Sequence, residues 1–366
     1  MTRQYLILAL ITIGLAFLIF QAPSVTDPAS EITRIKALTD IGAQGTELQK
    51  LLERVGPVET QELMFRSGLP FTGQTHLLIH VVGDYIYDQY GVAGLPYCRD
   101  YFLSACYHGF IINTLGDHGL AGMTEVMEKC EEAGPGVAAQ CAHGSGHGFV
   151  AWHDYNLLAA LKMCDELGER TTRPSPFPFF NCYDGVFMEN FWGVHNGVPS
   201  EKRWVKADDI YYPCNDPRIA EKYLTACWAN QATLAYQHYQ GDFRKTALFC
   251  DSVEKSEYRA ACYNNFARQT HPVSQGQKDQ VFALCSLATG ETWKNDCILT
   301  NVTAAWSVGD RENPYEICAA TQGSLQNGCF GRIISMINYH YGANPREKNT
   351  YCDKIAVISH RQACKR

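Results

Sequence analysis

Gln140-Cys141-Ala142-His143-Gly144-Ser145-Gly146-His147-Gly148-Phe149 joins one cysteine, two histidines four residues apart and three alternating glycines. Thinner versions stand on either side: Cys106-Tyr107-His108-Gly109 upstream and Cys182-Tyr183-Asp184-Gly185 downstream. All three read Cys, any residue, His or Asp, Gly. A phrase that returns three times indicates a repeat architecture and a site.

Cysteines carry the repeat through the rest of the chain. The sixteen fall as Cys98/Cys106, Cys130/Cys141, Cys164/Cys182, Cys214/Cys227, Cys250/Cys262, Cys285/Cys297, Cys318/Cys329 and Cys352/Cys364. Spacing within a pair runs from 8 to 18, and the gaps from one pair to the next are 24, 23, 32, 23, 23, 21 and 23. A variable short gap alternating with a near-constant longer one implies a unit of about 35 residues. No Cys-x-x-Cys occurs, and no cysteines stand three or four apart, so sulfur-based zinc, copper-storage and redox-relay readings lack their geometry. Disulfides are the expectation for an even count in an exported chain, with sequential pairing the simplest connectivity.

Export is read from the N-terminus. Arg3 precedes an apolar, uncharged run from Tyr5 to Phe20. No small residue occupies the −3 position expected of a cleavage site, so residues 1–22 read as an uncleaved signal anchor, a membrane-spanning helix. The bulk of the chain then lies outside the cytoplasm, in a periplasm, extracellular space or secretory lumen. Of 366 residues 46% are hydrophobic and 19% charged, so most of the chain has the means to bury a core. The net charge of −7 and the lack of a Lys/Arg-rich run argue against a nucleic-acid partner.

Residues 23–70 carry no cysteine and read as a helical stalk or cap. Ile32, Ile35, Leu38, Ile41, Leu48, Leu51 and Leu52 keep helical spacing, with a break expected near Gly42–Gly45. A helix follows over Val58–Phe65, then another from a Thr75 cap to Gly91. In residues 71–366 the first cysteine of each pair ends a short helix, as in Leu157–Cys164 and Lys245–Cys250, and the second is expected to open the next. The expected fold is all-α: a solenoid or ring of about eight disulfide-stapled helical hairpins. Two segments break the period, Arg173–Phe180 and Gly193–Pro199, and insertions in a repeat array map to loops on the working face.

In its paired helices, its unit length and its one bridge per unit, the stretch from about residue 70 to 366 resembles the disulfide-stapled Sel1-like and TPR-like helical repeats. The resemblance implies an exported α-solenoid whose groove binds partners.

Alignment on the second cysteine places His108, His143 and Asp184 at one position, where later units hold Ala229, Asn264, Leu299 and Gly331. His147 lies one turn beyond His143, and His76 and His80 lie one turn apart on the preceding helix. Seven of the twelve histidines fall between residues 76 and 153. With the thiols committed to bridges, His143, His147, His108, His76 and His80 are the candidate metal ligands. Imidazole nitrogen suits Zn first, then Cu, then Fe or Mn if carboxylates join. Asp184 and Glu189 are the candidate catalytic carboxylates, as ligand or as general base. Glu189 stands in the apolar run Phe187-Met188-Glu189-Asn190-Phe191, where a carboxylate needs a partner or a task. The glycines either permit close helix packing or bare N–H groups at a helix N-terminus to an anion. Asn301-Val302-Thr303 fits a glycosylation sequon.

Two readings follow. One is a membrane-anchored, extracytoplasmic metal-dependent hydrolase or oxidase. The other is a non-enzymatic scaffold whose groove holds a protein, peptide or glycan. No nucleophile elbow, phosphate loop, haem attachment motif or His-Glu-x-x-His occurs, Leu77 standing where the last would need its glutamate.

Overall fold

The computed structural model describes residues 27–69, 72–170, 176–192, 200–342 and 344–366. The expected anchor at residues 1–22 lies outside the described residues, as do Gly193–Pro199 and the start of the other insertion. Among the described helices none is long and apolar enough to cross a membrane.

The described residues form seventeen α-helices and no strand. Helices α1 (Pro28–Ala37), α2 (Ile41–Val55) and α3 (Pro57–Arg66) make the N-terminal part. The break between α1 and α2 falls at Leu38–Asp40, earlier than the glycines suggested, because the Asp40 side chain accepts the Ala43 N–H and caps α2. Helix α4 (Gly73–Tyr90) likewise starts ahead of Thr75: Thr72 is its N-cap and receives the Thr75 N–H. Gly91, at φ +56°, ends it as expected.

The stapled array follows as α5 (Tyr101–Ala133), α6 (Pro135–Trp152), α7 (Leu157–Arg170), α8 (Pro176–Trp192), α9 (Glu221–His238), α10 (Phe243–Asp251), α11 (Ser256–Ser274) and α12 (Lys278–Cys285). It continues as α13 (Glu291–Ser307), α14 (Asn313–Ala319), α15 (Gly323–Tyr341), α16 (Pro345–Asp353) and α17 (Ile358–Lys365).

All sixteen cysteines are bridged, and every bridge joins sequential partners, the simplest connectivity. The first four are Cys98–Cys106, Cys130–Cys141, Cys164–Cys182 and Cys214–Cys227. The second four are Cys250–Cys262, Cys285–Cys297, Cys318–Cys329 and Cys352–Cys364. No cysteine is left free.

The expectation that the second cysteine opens its helix is corrected at every unit. Cys141, Cys182, Cys227, Cys262, Cys297, Cys329 and Cys364 are each the seventh residue of α6, α8, α9, α11, α13, α15 and α17, and Cys106 is the sixth of α5. Each bridge therefore enters about two turns into the second helix. Polar first turns such as Glu221-Lys222 ahead of Cys227 and Ser256-Glu257 ahead of Cys262 read as connections, yet acidic residues there favour a helix start. Ahead of Cys329 the polar turn is Gly323-Ser324, and ahead of Cys364 it is Ser359-His360-Arg361; both are likewise helical. Cys106 and Cys130 share the 33-residue α5, in which Gly119 at φ +58° separates the two hairpins' portions.

The long helices α4, α5, α6, α8, α9, α11, α13 and α15 pack in succession, and the short ones flank this row. Later helices of the row meet earlier parts of the chain. Helix α13 touches α5, and Arg311, just past α13, lays its guanidinium 4.9 Å from the Phe65 ring of α3. Tyr339 of α15 faces Gly136 at the start of α6. The array therefore curves back on itself rather than running open. Asn301 is fully buried and bonded to Thr270 Oγ1 and Cys297 O, so its sequon is closed to glycosylation in the folded chain.

Candidate metal centre

Four consecutive long helices each bring one polar side chain to one row: His80 from α4, His108 from α5, His143 from α6 and Asp184 from α8. Glycines let the helices approach closely enough. A Cβ on Gly83 would lie 2.1 Å from Cys106 O, and one on Gly109 would lie 2.3 Å from His80 O. The α6–α8 crossing repeats this: a Cβ on Gly146 would stand 2.1 Å from Cys182 O and one on Gly185 2.0 Å from His143 O. Close helix packing is therefore the use of these glycines. They sit inside helices, with their N–H groups in the helical ladder, and bare nothing to an anion. Gly144, Gly146 and Gly148 in α6 each cost about 1 kcal/mol of helix propensity relative to alanine, which the close contacts with α5 and α8 offset.

The structure brings all seven sequence candidates together. His143 Nε2 and His147 Nε2 are 3.1 Å apart. His147 Nδ1 lies 2.9 Å from Glu189 Oε2, and His143 Nδ1 lies 3.2 Å from Asp184 Oδ2. On the other side His76 Nε2 is 3.1 Å from His108 Nδ1, and His76 Nδ1 is 3.0 Å from Phe102 O. The rings of His108 and His147 are centred 5.0 Å apart, those of His108 and His143 5.3 Å. Two triads result, His76/His80/His108 and His108/His143/His147, each with one ligand atom per residue and all atoms within 4.8 Å of one another. Either could hold a metal ion. His108, His147 and Glu189 are buried, whereas His76 and His143 keep some exposure and mark the side open to solvent.

Protonation follows from the partners. Burial alone would raise the Asp184 carboxyl, but Arg268 at 3.7 Å, His143 and the Asn230 amide at 2.7 Å outweigh it and hold the group down at about 2. Asp184 is thus an ionised acceptor, and His143 Nδ1 is the donor to it. Glu189 accepts Tyr155 OH at 2.5 Å on Oε1 and His147 Nδ1–H on Oε2. Burial and the Glu189 charge push the Tyr155 phenol far above its ordinary value, so it stays a hydroxyl donor. Burial, then the like charges of its histidine neighbours, hold His108 well below the ordinary histidine range, so it is neutral. Its Nε2 is buried without a hydrogen-bond partner.

Three side chains of this network escaped the sequence reading: Tyr155, Asn230 and Arg268. Tyr155 is turned back under α6 by two successive left-handed residues, Asp154 at φ +48° and itself at φ +64°. Asn230 and Arg268 come from α9 and α11, one and two units on. Asn230 falls three residues past Cys227, its unit's second cysteine, the one signal that could have placed it beside the row.

No protein-family model, curated protein or solved structure matches the chain. Its chemistry is therefore read from its own geometry: an all-helical, disulfide-rich protein with histidine clusters that could hold a metal, whose eight bridges point to an oxidising, extracytoplasmic environment.

Proposed function

We propose that His108, His143 and His147 hold one divalent transition metal ion, zinc in the first place, through three imidazole nitrogens with one position left open. The observation that carries this is the opposed pair His143 Nε2 and His147 Nε2, 3.1 Å apart while both Nδ1 atoms are committed to carboxylates. With both Nδ1 atoms turned to carboxylates, the two Nε2 atoms converge on one point, where a cation can take a lone pair from each. Zn–N bonds of about 2.0–2.1 Å in a tetrahedron place nitrogens about 3.3 Å apart, so this pair is already spaced as a chelate. His108 is neutral, as a ligand must be, and its buried Nε2 supplies the third nitrogen once its Nδ1–H is given to His76.

In this reading Asp184 and Glu189 are positioning residues, fixing the tautomer and ring direction of His143 and His147. Both oxygens of Glu189 are occupied and the side chain is fully buried, which suits that role better than the role of general base. A divalent ion in such a three-nitrogen setting acts as a Lewis acid toward a hydrolysable bond. The substrate approaches from the side on which His76 and His143 are partly exposed. The protein is then an extracytoplasmic metal-dependent hydrolase, tethered by Tyr5–Phe20.

Cobalt substitution tests the ligand set. Loaded with Co²⁺, the oxidised protein should show the intense visible bands of a tetrahedral nitrogen-rich site, and zinc should abolish them. His143→Ala and His147→Ala should each remove the bands. A weak octahedral spectrum in the wild type, unchanged by either substitution, contradicts the assignment.

A further inference from the structure

The ion proposed above uses one nitrogen of His108 and neither His76 nor His80. We infer a second metal position formed by His76, His80 and His108, with His108 bridging two ions through its two ring nitrogens. This rests on the reading of the first position.

The two halves of the cluster are built alike. His76/His80 on α4 and His143/His147 on α6 are both one-turn pairs; their ring centroids are 4.9 Å apart in each case, with interplanar angles of 66° and 65°. The α4–α5 crossing, closed by Gly83 and Gly109, is repeated by the α6–α8 crossing at Gly146 and Gly185. The His108 ring stands midway between the pairs. Its centroid lies 5.1 Å from His76 and 5.4 Å from His80 on one side, and 5.3 Å from His143 and 5.0 Å from His147 on the other.

Atom directions agree. His76 Nδ1 donates to Phe102 O, so its Nε2 lone pair is turned inward, 3.1 Å from His108 Nδ1. That is the separation found between His143 Nε2 and His147 Nε2, and it again suits a shared ion. Binding the second ion costs His108 its Nδ1 proton, which leaves to solvent; two nitrogen–metal bonds then flank one imidazolate, and neither ion changes oxidation state. The added charge has counter-charges at hand: the imidazolate itself, Asp184, Glu189, and Asp84 one turn past His80 on α4.

Copper is the probe. The full-length oxidised protein is titrated with Cu²⁺, freed of loose metal, and examined by elemental analysis and by electron paramagnetic resonance with spin counting. The wild type should bind two equivalents, and the integrated signal should fall as the second binds, because a bridging imidazolate couples the two spins. His80→Ala and His76→Ala should each bind one equivalent with its full signal, with helical content checked by circular dichroism. One equivalent in the wild type, unaltered by His80→Ala, overturns the second position and leaves the first. Two equivalents that integrate to two full spins overturn the bridge. No bound copper in any of these proteins overturns the first position as well.

Discussion

Replacing Glu189 by glutamine separates the orienting role of this carboxylate from its bulk. The substitution keeps the shape of a side chain with no exposed area, so it opens no cavity. The glutamine oxygen can still accept from His147 Nδ1, now held at 2.9 Å, but its amide group must face Tyr155 OH in place of the oxygen that accepts at 2.5 Å. One hydroxyl hydrogen loses its acceptor and His147 loses a full negative charge behind it. Loss of such an outer partner costs about 10–100-fold in metal affinity, or about 1.4–2.7 kcal/mol. Because the hydrogen bond to His147 survives, the expectation sits near tenfold. A competition titration with a chromophoric zinc chelator reads the affinity, and a denaturant melt of the metal-free protein reads the fold, which should lose about 1–3 kcal/mol from the unpaired hydroxyl. Unchanged zinc affinity in Glu189→Gln, with binding abolished in His147→Ala, would refute the claim that Glu189 tunes a ligand.

Gly146→Ala places a methyl group 2.1 Å from Cys182 O and should cost about 1–3 kcal/mol or more in thermal stability as α6 and α8 are forced apart, whereas Gly116→Ala, with nothing within 4 Å, should be neutral or stabilising by up to about 1 kcal/mol; comparable melts for the two would remove the close-packing argument. Deleting the Cys285–Cys297 bridge as the double alanine variant releases a 12-residue separation and should cost about 3 kcal/mol in chemical denaturation while leaving metal affinity alone, since neither α12 nor α13 supplies a ligand. His271 is buried, and desolvation holds it down at about 4 against 6.5 in the unfolded chain. Above pH 6.5 it is neutral in both states. Between about pH 6.5 and 4 the unfolded chain takes up a proton that the folded chain refuses, so stability falls by about 3 kcal/mol over that window. Equal slopes of stability against pH in wild type and His271→Asn would rule this out.

The repeat is legible in the sequence because six of the seven gaps between cysteine pairs are 21–24 residues, and sequential pairing, its simplest connectivity, is the one the fold adopts. Helix starts were harder to see. The seventh-residue position of Cys227, Cys262, Cys297, Cys329 and Cys364 hides behind polar first turns, which a hydrophobic pattern counts as connection, and that of Cys141 and Cys182 behind first turns broken by Pro135-Gly136 and by Pro176 and Pro178. The row His108, His143 and Asp184 could be read by aligning units, and the one-turn pairs by their spacing, because both are local properties of helices. The outer partners could not. Tyr155 depends on two left-handed residues, and Arg268 on the accumulated rotation of two further hairpins. The same accumulation, small per unit, decides whether the array stays open or returns to set Arg311 on Phe65.

Metal content is the most direct test of the central claim. The full-length oxidised protein, purified without chelator or affinity metal, is measured by elemental mass spectrometry beside the double variant His143→Ala/His147→Ala. At least one equivalent of a transition metal in the wild type, lost in the variant while both remain folded and fully oxidised, is the predicted result. No metal in either protein, with both folded, contradicts the account and turns the search toward a partner bound by the curved array.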